Sequence, residues 1–237
     1  MSSIGKSQTG IGNVSFGSHK NWSWMDTGPG SAAYNMALDR ALLEVTSSEA
    51  MIPVLRFYTW NSACTTYGYF QRQSEITKVS LSRDLVRRPT GGGLVEHCGD
   101  WTFSMVIPFN HEWYQLRARE SYHRIHQWVH RTFAALGVGL VSHPEPKLGH
   151  EISCFVSCEK DDLKDDFGKV AGCAQRRTSQ ALLIQYCIKP RPQWPERIAW
   201  QNDFLAKGEE LFGIRWVSYC ISPQLISNAL KLETEGL

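Results

Sequence analysis

The sequence predicts an α+β domain, with a mixed, largely antiparallel sheet flanked by helices. Three observations carry that expectation. Helix-like and strand-like patterns are interspersed without the regular βαβ rhythm of a parallel sheet. No internal repeat is visible. The 237 residues have an ordinary globular balance, 42% apolar and 20% charged, and suffice for one sizeable core.

Residues 1–21, rich in Ser and Gly and poor in aliphatics, read as a flexible leader, and 22–237 as a single domain opening near Trp22. Ser31 is placed to cap a helix through "AAYNMALDRALLEV", where Met36, Leu38, Leu42, Leu43 and Val45 recur at near-helical spacing. Pro53 precedes the alternating "VLRFYTW", and "ACTTYGYFQ" follows after a short polar turn, so these two read as consecutive strands. "DLVRRPTGGGLVEH" and "DWTFSMVIP" are β-rich runs interrupted by glycines. From Tyr114 to Leu136 the pattern is helical, with Ile125, Val129 and Phe133 on one face and Gly137 as the stop. "GVGLVSH" returns to strand, and "PEPKLGHEISCFVSC" is a polar, proline-broken loop. A hairpin then turns at Asp165-Asp166-Phe167-Gly168, a proline-rich connection follows, and "SPQLISNALKLE" ends the chain in helix.

The net charge of +2 argues against a strongly basic nucleic-acid binder. No run of about 18 apolar residues is available to span a bilayer, and the N-terminus lacks signal-peptide and transit-peptide patterns. Seven cysteines, an odd number without regular spacing, suit a reducing compartment. Together these point to a cytoplasmic protein with no membrane or nucleic-acid partner.

Three stretches carry chemistry. The glycines Gly91, Gly92 and Gly93 follow Arg87 and Arg88. They form either a turn beside solvated arginines or a loop whose exposed amides and neighbouring charge receive a phosphate or carboxylate. The nucleotide patterns GxxxxGK[ST] and GxGxxG are absent. In "GKVAGCAQRR", Lys169 is either an exposed charge or a partly desolvated cation that orients a carbonyl and neutralises developing negative charge. Cys154 and Cys158 have CxxxC spacing, which is not the CxxC of zinc and redox motifs. Cys154 is either a small buried hydrophobe or, with His150, Lys169 and Arg176 brought near, an activated nucleophile. His123, His126 and His130 lie within one helical arc but border the apolar stripe, so a flanking role is favoured and no metal site is expected.

In order and interval, "YNMALDRALL", "LRFYTWNSACTTYGYFQ", "RRPTGGGLVEHCGDWTFSM" and "GKVAGCAQRR" resemble the lipoate–protein ligases and octanoyltransferases, which share a catalytic domain with biotin–protein ligases. The resemblance implies that Arg88 and Gly91 to Gly93 line an acyl or acyl-adenylate pocket, together with His97, Gly172, Ala174 and Gln175. It also implies that Lys169 contacts the acyl carbonyl or phosphate. Cys154, fifteen residues before Lys169, matches the nucleophile position of one transferase branch, a match absent for the branch whose cysteine lies beyond the lysine. A transferase of this kind takes an octanoyl or lipoyl group from acyl carrier protein. It passes the group to a lysine of a lipoyl-carrier domain, in dehydrogenase complexes or the glycine cleavage protein, without a cofactor. The alternatives are an ATP- and Mg²⁺-dependent lipoate ligase and a non-catalytic relative that binds acyl ligands or carrier proteins. The end of the chain near residue 237, without room for a further C-terminal domain, and the cysteine match both favour transfer. The short leader disfavours a DNA-binding repressor. Where family members often carry His-Gly after the lysine strand, this chain has Gln185-Tyr186, and Gly93 is more ligase-like than the arginine of the cysteine-using branch.

Overall fold

A ten-residue strand, β1 (Asn21–Gly30), opens the computed structural model, which describes residues 20–45, 52–80, 82, 84–144 and 159–235. Residues 1–19 of the expected leader and residues 145–158 of the expected loop, with His150, Cys154 and Cys158, therefore lie outside the described residues. The helix α1 (Ala32–Val45) follows β1, and its start is fixed by the Ser31 hydroxyl, which accepts from the Tyr34 N–H at 3.0 Å. The chain continues through β2 (Val54–Trp60), β3 (Cys64–Tyr67), α2 (Gln73–Ile76), β4 (Leu85–Arg87), β5 (Val95–His97) and β6 (Trp101–Pro108). Beyond these come α3 (Glu112–Gln115), α4 (Ala118–Ala135), β7 (Val141–Ser142), β8 (Leu163–Asp165), β9 (Gly168–Arg177) and β10 (Ala181–Ile188). The described chain ends with α5 (Arg197–Phe212), β11 (Arg215–Ser218) and α6 (Pro223–Glu235).

Eight strands form one sheet in the order β11-β1-β2-β6-β10-β9-β8-β7, and β4-β3-β5 form a second. In the large sheet β1 is parallel to β2 and β11, and every other pairing is antiparallel, which is the mixed, largely antiparallel α+β architecture expected. One face packs Phe57, Phe103, Tyr186 and Leu182 against Trp128 and Phe133 of α4 and Trp200 and Phe204 of α5. The other face packs Val54, Val106 and Leu183 against α1 and α6. Aromatic rings dominate the first layer, with Trp128 stacked on Phe204 at 4.2 Å between centroids.

The local differences from the sequence reading have physical causes. The helix expected from Tyr114 to Leu136 is two, because Leu116 and Arg117 are extended and the Glu120 carboxylate closes back on the Arg117 N–H at 2.9 Å. The strand expected at "GVGLVSH" is reduced to Val141–Ser142, at the sheet edge with only one neighbour. The consecutive strands "VLRFYTW" and "CTTY" belong to different sheets. The hairpin at Asp165–Gly168 forms as expected, with those two residues paired across a two-residue turn.

Candidate functional site

A cavity of about 350 Å³ lies where the two sheets face each other. Strands β9 and β10 supply Gly172, Ala174, Gln185 and Cys187, and the small sheet and glycine run supply Thr66, His97, Gly92 and Gly93. Arg88 and Lys169 also line it.

The glycine run owes its shape to Arg88. Only 5% exposed, this guanidinium donates to the carbonyl of Gly91 from Nε (3.0 Å) and Nη2 (2.6 Å), and to that of Gly93 from Nη2 (2.6 Å). Arg88 is thus not a solvated charge; it folds the loop around itself while lining the cavity. Gly92 has φ +86°, in the left-handed region. Gly68 lets the run approach, since a Cβ there would stand 1.9 Å from the Gly92 carbonyl oxygen.

Lys169 is buried rather than exposed, and its Nζ lies 2.6 Å from Asp162 Oδ2, with the two side chains 6% and 0% exposed. Asp162 also accepts from the Tyr122 hydroxyl (2.5 Å) and the Glu159 N–H (2.6 Å). His126 Nε2 stands 3.5 Å from Oδ1, too long for a firm hydrogen bond. Burial alone would raise the Asp162 pKa, but the neighbouring His126 and the Lys169 charge outweigh it and hold the carboxyl below its usual value. Room for the pair comes from Gly172, where a Cβ would meet Lys169 Cε at 2.8 Å and Asp162 Oδ1 at 2.9 Å.

A second cluster occupies another part of the cavity wall. His97 Nδ1 lies 2.9 Å from Asp100 Oδ2, and its Nε2 lies 2.9 Å from the Thr66 hydroxyl. A carboxylate only accepts, so Nδ1 carries the ring hydrogen and Nε2 accepts from Thr66. Trp60 stacks on the imidazole at 3.9 Å and donates to the same Oδ2, as do Thr102 and the Cys187 thiol. Burial would raise the Asp100 pKa, but the hydrogen bond from His97 and the electrostatic attraction of that ring keep it below the usual range.

Gln185 bridges two parts of the site. Its Nε2 donates to Asp39 Oδ2 of α1 (2.7 Å), and its Oε1 accepts from Thr90 at the head of the glycine run (2.6 Å). Asp39 in turn pairs with the fully buried Arg56 at 2.8 Å. Two thiols line the cavity, Cys173 and Cys187. Burial, reinforced by Asp162 for the first and Asp100 for the second, pushes both far above the ordinary thiol value.

The sequence-predicted residues divide accordingly. Arg88, Gly92, Gly93, His97, Lys169, Gly172 and Ala174 come together at the cavity. Gly91 and Gln175 line an adjoining depression with Ala118 and Arg119. Cys154 lies outside the described residues. The three helical histidines diverge: His123 faces Asp161, His126 the Tyr122 carbonyl and His130 the Leu140 carbonyl. Asp100, Asp162, Gln185 and Cys187 were not singled out as site residues from the sequence. The Tyr122 partner of Asp162, the Asp39 and Thr90 partners of Gln185 and the Asp100 partner of Cys187 are distant in the chain, and the short spacing of His97 and Asp100 does not by itself mark a pair.

The family model of the lipoyl protein ligase A/B catalytic domain matches residues 31–191, more than half of the chain. The chain belongs to this family. Among relatives, the octanoyltransferase LipM of Staphylococcus aureus is 34% identical over 176 residues, 69% of this chain and 64% of that protein. Its Staphylococcus epidermidis counterpart is 36% identical over 174 residues, 68% and 63%, and that of Bacillus subtilis 34% over 176, 69% and 63%. The match therefore spans a little under two thirds of each LipM protein. The fold is shared with solved structures of low identity. A lipoate–protein ligase A bound with ATP superposes with TM-score 0.69 at 20% identity, covering 91% of this chain and 94% of the other. A bipartite lipoate protein ligase from Thermoplasma acidophilum, studied with its E2 lipoyl domain, gives 0.65 at 19%, covering 91% and 92%. Among the described residues of this lipoyl ligase family member, no helix is long and apolar enough to cross a membrane.

Proposed function

We propose that the protein is a cysteine-dependent acyltransferase. It moves an octanoyl or lipoyl group from an acyl carrier protein thioester to a lysine of a lipoyl-carrier domain, and residues 22–237 act as one catalytic domain in the cytoplasm. The observation that carries this reading is the Lys169–Asp162 pair, set against the glycine run on the wall of a cavity sized for a medium chain. The names of the LipM relatives supply the acyl group.

In the first half-reaction the Cys154 thiolate attacks the thioester carbonyl carbon, forming a C–S bond. The carbonyl electrons move to oxygen, where the Lys169 ammonium stabilises them, an effect worth about 3 kcal/mol for one well-placed donor. The tetrahedral intermediate collapses, and the carrier thiolate leaves and takes up a proton. In the second half-reaction the carrier-domain lysine amine attacks the acyl-enzyme, the amide forms, the amine gives up a proton and Cys154 departs as thiolate. Asp162 fixes the ammonium, Arg88 fixes Gly91 to Gly93, and His97, Gly172, Ala174 and Gln175 bound the space for the chain.

Cys173 and Cys187 are unsuited to the attack because both are held protonated. Glu159, which lines the cavity, follows Cys154 by five residues, a reach of at most about 18 Å. No cofactor enters these steps.

Intact-protein mass spectrometry after incubation with octanoyl-acyl carrier protein tests the proposal. The wild type gains one octanoyl group and Cys154→Ala gains none. An unmodified wild type, or an adduct that persists in the variant, overturns the cysteine mechanism. Pyrophosphate release from ATP with octanoate or lipoate would assign the site to a Mg²⁺-dependent ligase. Saturable carrier binding without any product would assign it to a binding relative.

A further inference from the structure

The mechanism above uses His97 only to bound the space for the chain and gives the cluster around Asp100 no chemical part. His97, Asp100 and Cys187 are all buried, and their ligand atoms lie within 4.8 Å of one another. No other group of three or more such side chains occurs among the described residues. The hydrogen bonding at Asp100 is lopsided. His97, Trp60, Thr102 and Cys187 all bond to Oδ2, whereas Oδ1 is buried and has no hydrogen-bond partner. Asp100 is 3% exposed, and an unsatisfied carboxylate oxygen at that depth is costly.

We infer that His97, Asp100 and Cys187 form a site for a thiophilic divalent cation, zinc in the first instance, on the wall of the cavity. The donor set decides the class of ion: one imidazole, one carboxylate and one thiol suit Zn²⁺ or Co²⁺, whereas Mg²⁺ and Ca²⁺ take oxygen shells. Three protein ligands with the fourth position left to water is the arrangement of an open zinc site. His97 and Cys187 line the cavity, which gives a cation and its water room. Donors bonded to tetrahedral zinc at about 2.0–2.3 Å stand roughly 3.3–3.5 Å apart, so the cluster, now within 4.8 Å, closes by up to about 1.5 Å on binding.

The proton balance is defined. Cys187 loses its thiol hydrogen, which leaves to solvent, and its lone pair becomes the Zn–S bond. The His97 ring hydrogen passes to Nε2, which then donates to the Thr66 hydroxyl already 2.9 Å away, so this second bond fixes the metal-binding tautomer. Trp60 and Thr102 remain as supporting donors to the carboxylate. The negative charge of Asp100 that helps keep the Cys187 thiol protonated is neutralised once the cation is bound. The site stands whichever organic ligand fills the cavity.

The test is titration of the full-length, reduced protein with Co²⁺, followed by Zn²⁺ displacement, for the wild type, Cys187→Ser and His97→Gln. The wild type takes one cobalt per chain with a thiolate-to-metal charge-transfer band, releases one proton, and yields the cobalt to zinc. Cys187→Ser loses the band, and both variants bind zinc more than the roughly 100-fold weaker that loss of a supporting residue can cause. Absence of the band in the wild type overturns the inference. So does an equal band in Cys187→Ser, which would put the metal on cysteines elsewhere, such as the exposed Cys98 or Cys220. Should the variants fail to fold, zinc-edge X-ray absorption of the wild type decides: one sulfur with nitrogen and oxygen supports the site, and no sulfur or several overturn it.

Discussion

Replacing Gly172 by alanine adds one methyl group where the Lys169–Asp162 pair leaves no space. The new Cβ would stand 2.8 Å from Lys169 Cε, 2.9 Å from Asp162 Oδ1 and 3.0 Å from Lys169 Nζ, against 3.4–4 Å for ordinary contact. These are side-chain ends, so the backbone holds and the pair yields, shifting by about 0.5 Å or more to reach contact distance. The stability cost is small, since alanine in a strand is favoured over glycine by about 0.5–1 kcal/mol and offsets part of the strain. The catalytic cost is large, because a misplacement of about 1 Å can remove a factor of about 100 in rate. The expected result for Gly172→Ala is a roughly 10- to 100-fold loss of kcat/KM for octanoyl transfer, or about 1.4–2.7 kcal/mol of transition-state stabilisation, with Tm within a few degrees of wild type. Steady-state transfer from octanoyl-acyl carrier protein, run beside thermal melting, measures both. Wild-type kinetics at wild-type Tm would refute the claim that the pair's placement matters, and a collapse of Tm would show that the backbone, not the pair, absorbs the methyl.

Three further outcomes follow from the buried polar groups. Asp39→Ala leaves Arg56 charged and fully buried without its carboxylate, a loss of about 3–5 kcal/mol that lowers Tm by roughly 6–20 °C in calorimetry. Asp100 and Asp162 both titrate below the ordinary carboxylate value in the folded state, so the unfolded chain binds more protons near pH 4. Their stabilisation is complete above about pH 5 and lost as pH falls through 4 toward the folded values; urea unfolding between pH 6 and 3 shows this slope, and Asp162→Asn makes it shallower. Iodoacetamide at neutral pH modifies exposed Cys98 and Cys220 well before Cys173 and Cys187, as peptide mass spectrometry reads, because the two cavity thiols stay protonated. Equal rates would contradict that assignment.

What could be read from the sequence was local. Ser31 and the apolar spacing after it mark α1, and the Asp165–Gly168 hairpin is written in its turn residues. Lys169 and the glycine run stood out for their chemistry alone. The strand β1 did not: "NWSWMDTGPG" contains two glycines and a proline, and it is held by parallel pairing with β2 and β11, the second nearly 200 residues away. Asp162 reads as one acid in a polar run, and only folding sets it against Tyr122 forty residues earlier. Arg88 was marked by its charge, but its bonds to the carbonyls of Gly91 and Gly93 could not be read from the sequence, because no side-chain pattern encodes backbone acceptors. The helix α5 follows a proline-rich connection whose prolines masked its start.

The Asp39 network joins these levels. A buried ion pair such as Arg56–Asp39 is a weak stabiliser, because desolvation of both charges consumes most of their attraction. Its effect here is geometric. Asp39 of α1 is bonded to Arg56 and Tyr58 of β2, Ser104 of β6 and Gln185 of β10, so one carboxylate sets four elements in register. Through Gln185 the same register reaches Thr90 and the glycine run. The position needs a donor toward Asp39 and an acceptor toward Thr90, and a primary amide offers both at its tip without charge. Glutamate would set a second anion against Asp39, and leucine would leave Asp39 and Thr90 each short of a buried bond. A neutral histidine also has one donor and one acceptor, so the same pair of bonds is within the chemistry of either side chain. What the bridge between Asp39 and Thr90 requires is therefore one bond given and one accepted by an uncharged group.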